Sequence, residues 1–234
     1  MQYRSSAATH AGTVRDHNED SFVDRPTLGL WAVADGAGGH DCGELAAAAI
    51  RQALQNLPDT LSAAEILAQV RLALQQTHSA LLQEAARRGP QVTIASTVAV
   101  LIAHGEHFAA LWAGDSRIYL LRDGRLQQVT HDHSLVQALV DAGALRPEQA
   151  EGHPRANVIT RALGVEPETL ELEKITSRVQ PGDRFLLCSD GLFKAMAEST
   201  VQSVLERGDA GALIAAALEH QASDNVTAIV VQAG

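Results

Sequence analysis

What this chain has little of narrows its chemistry first. It holds only two cysteines, Cys42 and Cys188, without CxxC spacing and far below the density of a disulfide-stapled secreted fold. Buried free thiols in a reducing compartment are expected, with a single disulfide as the alternative. No apolar run reaches the roughly 18 residues of a membrane-spanning helix. The start, Met1-Gln2-Tyr3-Arg4-Ser5-Ser6, has no signal-peptide apolar core. Positive charge is scarce: 18 Lys and Arg against 28 Asp and Glu give a formal net charge of −10. That balance argues against binding nucleic acid or an anionic membrane. Neither GxxxxGK[ST] nor GxGxxG occurs, so the common nucleotide sites are unsupported. The ten histidines show no HxxxH pair, and Ser189 lacks the GxSxG setting of a serine hydrolase. With 234 residues, 46% hydrophobic and 20% charged, the chain suits one soluble globular domain, 1–234. A cytoplasmic monomer without membrane insertion is the expectation.

What is present is a scattered set of acidic residues in glycine-rich or polar settings. They are Arg15-Asp16-His17-Asn18-Glu19-Asp20, Asp35-Gly36-Ala37-Gly38-Gly39-His40, Ala113-Gly114-Asp115-Ser116-Arg117, Ser189-Asp190-Gly191 and Asp224-Asn225. Most adjoin an apolar, strand-like run. Carboxylates at strand ends can converge while distant in sequence, and converging carboxylates repel unless a hard cation lies between them.

The hydrophobic pattern places these residues. Leu28 to Ala34 reads as a buried strand delivering Asp35 to a loop. Gly43 to Leu57 reads as a helix stopped near Pro58. Ser62-Ala63-Ala64-Glu65 fits a capping box opening a second helix that ends near Gly89-Pro90. Thr93 to Ala103, Phe108 to Ala113 and Ile118 to Leu121 read as strands, with Asp123-Gly124 as a hairpin turn. Ser134 to Ala142 looks helical, and Leu145 to Gly164 reads as an irregular surface excursion. Arg184 to Cys188 is a strand, Asp209 to His220 a helix, and Val226 to Val231 a final strand. Grouped strands and grouped helices predict α+β layers, not a doubly wound sheet.

Asp35 and Asp190 each follow an apolar run and precede glycine, so a ligand can approach the backbone closely and the Gly36 carbonyl can itself be a ligand. The plainer alternative is a turn, since Asp-Gly is a common turn pair and Asp123-Gly124 is read as one. Asp224 can cap a turn, Glu19 and Asp20 can form a solvated acidic turn, and Asp115 can pair with Arg117. If these groups do bind a metal, oxygen-only coordination favours Mg²⁺ or Mn²⁺ over zinc. Arg15 is a candidate two-pronged phosphate clamp, or a salt-bridge partner of a nearby aspartate. His10, His78, His104, His107 and His220 read as surface or packing residues.

Taken together, the blocks resemble the bacterial metal-dependent serine/threonine protein phosphatases of type 2C. The matching text runs through Gly12-Thr13-Val14-Arg15, Asn18-Glu19-Asp20-Ser21, Val33 to His40, Ala95-Ser96-Thr97, Ala113 to Tyr119, Thr130 to Val136, Asn157 to Gly164, Gly182-Asp183-Arg184, Ser189 to Leu192 and Asp224 to Thr227. The blocks keep family order across nearly the whole chain. The resemblance implies two stacked, mainly antiparallel sheets flanked by helices, with metals in a cleft at one end. It implies that Asp35 bridges two ions with the Gly36 carbonyl as a ligand, and that Asp190 and Asp224 hold one of them. Asp20 matches an acidic position at the centre, with Glu19 acting nearby through water. Asp115, with Asp190, matches a third, weaker site, and Arg15 the phosphate-binding arginine. The segment from about 133 to 164 corresponds to a mobile flap. Eukaryotic relatives often place a histidine directly after the Asp-Gly pair as general acid; this chain has Ala37, and the role is not transferred to His40.

The resulting expectation is hydrolysis of phosphoserine or phosphothreonine by water activated between Mn²⁺ or Mg²⁺ ions, opposing a bacterial serine/threonine kinase. The alternatives are a catalytically silent phosphoprotein-binding pseudophosphatase and a hydrolase of small phosphate esters.

Overall fold

The strand Leu30–Ala37 shows how the architecture is specified. Leu30, Ala32 and Ala34 belong to one buried cluster, while Trp31 and Val33 belong to another. Side chains alternate across a strand, so a strand covered on both faces reads as an unbroken apolar run. The computed structural model describes every residue except 39–41, 151 and 166, and it places this strand, β3, inside a two-sheet sandwich.

One sheet runs in the order β1 (Tyr3–His10), β11 (Val226–Ala233), β10 (Arg184–Cys188), β7 (Arg117–Arg122) and β8 (Arg125–Gln128). The other runs β2 (Asp20–Arg25), β3, β5 (Val98–His104), β6 (His107–Ala113) and β9 (Glu173–Arg178), with the two-residue β4 (Ala95–Ser96) beside β3. Every pairing is antiparallel. Helices α1 (Cys42–Gln55) and α2 (Ala63–Arg88) cover the outer face of the second sheet. Helices α4 (Asp190–Ala195), α5 (Glu198–Leu205) and α6 (Ala210–Glu219) cover the outer face of the first. The α+β layering expected from the sequence is therefore an α-β-β-α sandwich.

Few aromatic residues are available, and four of them tie the sheets together at one end. Tyr3 of β1 meets Trp31 of β3 edge-on with ring centroids 5.8 Å apart, and Phe108 of β6 meets Phe185 of β10 at 4.9 Å. Such edge contacts add about 1 kcal/mol each beyond the area they bury. At the hairpin between β7 and β8, Asp123 and Gly124 both take positive φ, 49° and 71°, as a type I′ turn requires. Glu65 accepts the backbone N–H of Ser62 at 2.8 Å, opening α2 as its capping pattern predicts.

One sequence expectation needs correction, and some strands are missed. Asp35 lies within β3, two residues before its end, instead of in a loop beyond it. Strands β1, β2 and β9 carry no long apolar run and go unread in the sequence; β9 is an edge strand, exposed along most of its length. The 145–164 excursion is irregular as expected, its described residues showing a 3-10 turn at Pro147–Gln149 and isolated bridges at Ile159 and Leu163. It is preceded by α3 (Leu135–Asp141), and the Ser134–Ile159 bridge closes its base.

Candidate metal centre

The strand ends opposite the aromatic contacts deliver the acidic residues. Asp20 opens β2, and its Cα pairs directly with that of Asp35 on β3. Asp115 sits in the corner between β6 and β7, Asp190 begins α4 immediately beyond β10, and Asp224 lies just before β11. Both sheets thus contribute: Asp20, Asp35 and Asp115 come from or beside the second, Asp190 and Asp224 from the first. Gly36 is required here, because a Cβ would lie 2.3 Å from the Gly43 carbonyl oxygen at the start of α1. Gly43 in turn leaves room for Glu19, whose Oε2 lies 2.6 Å from where a Gly43 Cβ would stand.

Burial and mutual repulsion set the electrostatics. Loss of solvent pushes the Asp20 carboxyl up to about 7, against the opposing pull of hydroxyls from Thr227 and Ser189. Burial holds Asp35 well above the usual carboxylate range, and the charges of Asp20, Asp190, Asp115 and Asp224 add to it. Asp115 is raised to about 7, by burial first and then by Asp190. Two carboxylate oxygens, Asp20 Oδ1 and Asp115 Oδ1, are buried with no hydrogen-bond partner among the described residues. Orphaned acceptors of this kind cost free energy unless something positive reaches them. An all-oxygen donor set with unmatched negative charge fits a hard divalent cation.

Neutral groups position these acids. Ser189 and Thr227 each donate a hydroxyl to Asp20 Oδ2 at 2.7 Å, and Ser189 Oγ accepts the Thr227 N–H at 2.9 Å. The other oxygen of Asp20 is left open. Asn225 is a hub: it donates to the Ala11 and His17 carbonyls at 2.9 Å and accepts the Glu19 N–H at 2.8 Å. It thereby pins the Arg15 loop to the start of β11. Thr97 accepts the Asp35 N–H at 3.2 Å and shares a 2.7 Å hydroxyl contact with Ser116, linking Asp35 to the Asp115 corner. The sequence blocks contain these residues, but a side-chain acceptor for a distant backbone has no sequence signature.

Three cations define the surroundings of these acids. Asp115 does not pair with Arg117, which instead grips Asp132 at 2.6 Å and lies over the Phe193 ring. Arg15 makes a two-pronged contact with Asp224, at 2.9 and 3.0 Å. Lys194, not singled out in the sequence, bonds Asp190. With these cations on Asp224 and Asp190, no three His, Cys, Asp or Glu side chains among the described residues stand ready as a metal cage. The carboxylates are gathered, but their charge is partly answered by the chain itself. Gly39 and His40 lie outside the described residues. His78 is a packing residue as read: its Nδ1 accepts the Gly164 N–H at 3.1 Å and its Nε2 meets the Pro167 carbonyl. Both cysteines are free and buried, and burial pushes the Cys188 thiol up to about 12.

Comparison with known proteins settles the family. The protein phosphatase 2C profile matches residues 8–223. The chain belongs to the protein phosphatase 2C family. A relative, the serine/threonine protein phosphatase PstP of Mycobacterium tuberculosis, is 37% identical over 234 residues, covering 97% of this chain. The match spans 44% of that relative, so this chain corresponds to less than half of its length. Among solved structures, PppA, described as a key regulatory component of T6SS in Pseudomonas aeruginosa, superposes with a TM-score of 0.91 at 42% identity, covering 100% of this chain and 99% of that one. The catalytic domain of PstP in complex with two manganese ions superposes with a TM-score of 0.87 at 35% identity, covering 98% and 97%. The type 2C sandwich expected from the sequence blocks is thus the fold of solved relatives across essentially the entire chain.

Proposed function

We propose that this chain is a single catalytic domain, residues 1–234, that hydrolyses phosphoserine and phosphothreonine in proteins with the help of Mn²⁺ or Mg²⁺. One observation carries the reading. Asp20 and Asp35 are paired across adjacent strands with raised proton affinity and an open Asp20 oxygen, and Asp115, Asp190 and Asp224 converge on them. The residues that would hold two ions are Asp35, Asp20, Asp190, Asp224 and the Gly36 carbonyl, with Glu19 assisting through water. Asp115 and Asp190 would hold a third, weaker ion. When bound, the ions supply Lewis-acid polarisation of the phosphoryl group and an acidified water at neutral pH.

The chain's own residues do the rest. Ser189 and Thr227 fix the Asp20 carboxylate by one oxygen and leave the other for the centre. Asn225 anchors the loop that carries Arg15. Arg15 is 59% exposed on its side chain, so it is free to swing from Asp224 to a phosphoryl group, whose oxygens its fork matches. The segment 133–164 forms the flap beside the cleft. The partner is a phosphoprotein, a serine/threonine kinase or its target, and likeness to PppA and PstP supports such regulatory use. No helix among the described residues is long and apolar enough to cross a membrane; the setting we propose is a monomer working in the cytoplasm. All the expected acidic positions are filled, which weighs against a silent binding module.

The test is release of phosphate from a phosphothreonine peptide with Mn²⁺ and with excess chelator, beside Asp35→Asn. Metal-dependent release lost in the variant supports the reading. A folded protein that binds the peptide and releases nothing under any metal condition would move the assignment to a binding module.

A further inference from the structure

The proposed roles leave one cation at the centre unused. Lys194 lies one helical turn after Asp190 on α4. Its ammonium donates to Asp190 Oδ2 and, at 2.8 Å, to Asn157 Oδ1. Asn157 belongs to the irregular segment over the cleft, so a single ammonium joins that segment to the acidic centre. Lys194 and Asn157 line a cavity of about 260 Å³ together with Asp115, Val136, Ala150 and Phe193. Asp115 is only 4% exposed, and its Oδ1 has no hydrogen-bond partner among the described residues. The cavity lining therefore includes both an aspartate with one unpartnered, buried oxygen and a lysine that already engages the neighbouring Asp190.

An ammonium has three donors and no acceptor, so it cannot bind a metal while protonated. It also repels any cation that seeks the same oxygen. A divalent ion carries twice the charge and draws Asp190 more strongly; where it takes Oδ2, Lys194 must give way. Once displaced, Lys194 can no longer hold Asn157 in its present place.

We propose that Lys194 is a tethered cation that latches the segment around Asn157 to the acidic centre and competes with a divalent ion for its Asp115–Asp190 side. This rests on the metal-centre reading and deepens it: the chain itself sets how readily the third position fills.

The experiment uses the full chain as wild type, Lys194→Met and Asn157→Ala. Mn²⁺ binding is titrated by calorimetry, and hydrogen exchange is followed in peptides covering 152–160 with and without saturating Mn²⁺. Wild type is expected to bind two ions tightly and a third weakly. Lys194→Met is expected to bind the third about tenfold more tightly, since a competing charge is gone. In wild type, Mn²⁺ speeds exchange across 152–160. In Lys194→Met, exchange there is fast in both conditions. Asn157→Ala speeds exchange without metal and tightens the third ion only modestly, less than Lys194→Met does, because the contact to Asn157 is gone while the Lys194–Asp190 pair survives. Equal third-ion affinity in Lys194→Met and wild type would overturn the competition, and equal exchange in Asn157→Ala and wild type would overturn the latch, whether or not Lys194→Met folds. A wild-type protein that binds no Mn²⁺ at all would remove the metal centre itself, a result distinct from two ions bound identically by all three proteins.

Discussion

Asp20 and Asp35 stand directly opposite each other on β2 and β3, one cross-strand pair of like charge. Such a pair opposes sheet formation unless a cation or a proton relieves it. The structure tolerates it because Ser189 and Thr227 hold one Asp20 oxygen.

Replacing Asp35 by Asn should therefore separate function from stability. Turnover of a phosphothreonine peptide is expected to fall by about three orders of magnitude or more if Asp35 is the central metal ligand proposed above. The metal-free variant should nonetheless melt higher than metal-free wild type, because a buried repelling charge is gone. Thermal scans in chelator and in Mn²⁺ check both halves: the Mn²⁺-induced rise seen in wild type should shrink or vanish in the variant.

The pH dependence of the metal-free protein follows from the same acids. Asp20 and Asp115 are raised to about 7 in the fold, against about 4 in the unfolded chain. Between these values the folded state holds more protons, so stability falls as pH rises through the window. Urea unfolding in chelator is expected to lose at least about 1 kcal/mol between pH 5.5 and pH 8. Excess Mn²⁺ at pH 8 should restore it, because the ion binds only the folded, deprotonated centre.

Arg15 makes a different prediction. Its contact with Asp224 is largely exposed, 59% and 38% on the two side chains, so it contributes little to stability. Arg15→Ala should leave the urea midpoint nearly unchanged, yet raise KM or lower kcat for a phosphopeptide by a combined 10- to 100-fold, roughly the worth of a charge-assisted bidentate contact. Arg15→Lys should not rescue it, since a single ammonium lacks the fork. Steady-state kinetics on all three proteins decide the matter.

Asn225→Ala removes three bonds that tie residues 11, 17 and 19 to β11. Ala11 is half-buried and His17 exposed, so water can partly replace the lost donors, and a destabilisation of about 1–2 kcal/mol is expected in urea. Mn²⁺ affinity should weaken as well, because the loop bearing Glu19 and Asp20 loses its anchor. Asn225→Asp should not restore either property: its carboxylate still accepts but cannot donate to Ala11 and His17.

Much of this was legible in the sequence, and the gaps have physical causes. Double coverage of β3, β5 and β10 produces apolar runs, so these strands announce themselves. β1, with Arg4-Ser5-Ser6, and β9, with Glu173-Lys174, are edge strands open to water on one side and carry little periodic signal. Asp20 was visible as a candidate only through the surrounding block; its facing of Asp35 depends on strand register, which no local pattern encodes. Lys194 goes unread because nothing in the local pattern marks 190–195 as a helix, which is what brings a lysine four residues on back beside Asp190. Its reach to Asn157, 37 positions away in the chain, exists only in three dimensions.

The two ends of the sandwich are unequal. Tyr3 against Trp31 and Phe108 against Phe185 clasp the sheets at one end, while the carboxylates of both sheets crowd the other. The molecule is thus built like a clothes-peg, with an aromatic spring and charged jaws. Cations held between the jaws would offset the repulsion there, and without them the carboxylate end would be the less firmly held of the two. Starvation for divalent ions would then do more than idle the protein: it would expose the jaw-side strand ends to proteases first, coupling the lifetime of the chain to the ions it works with.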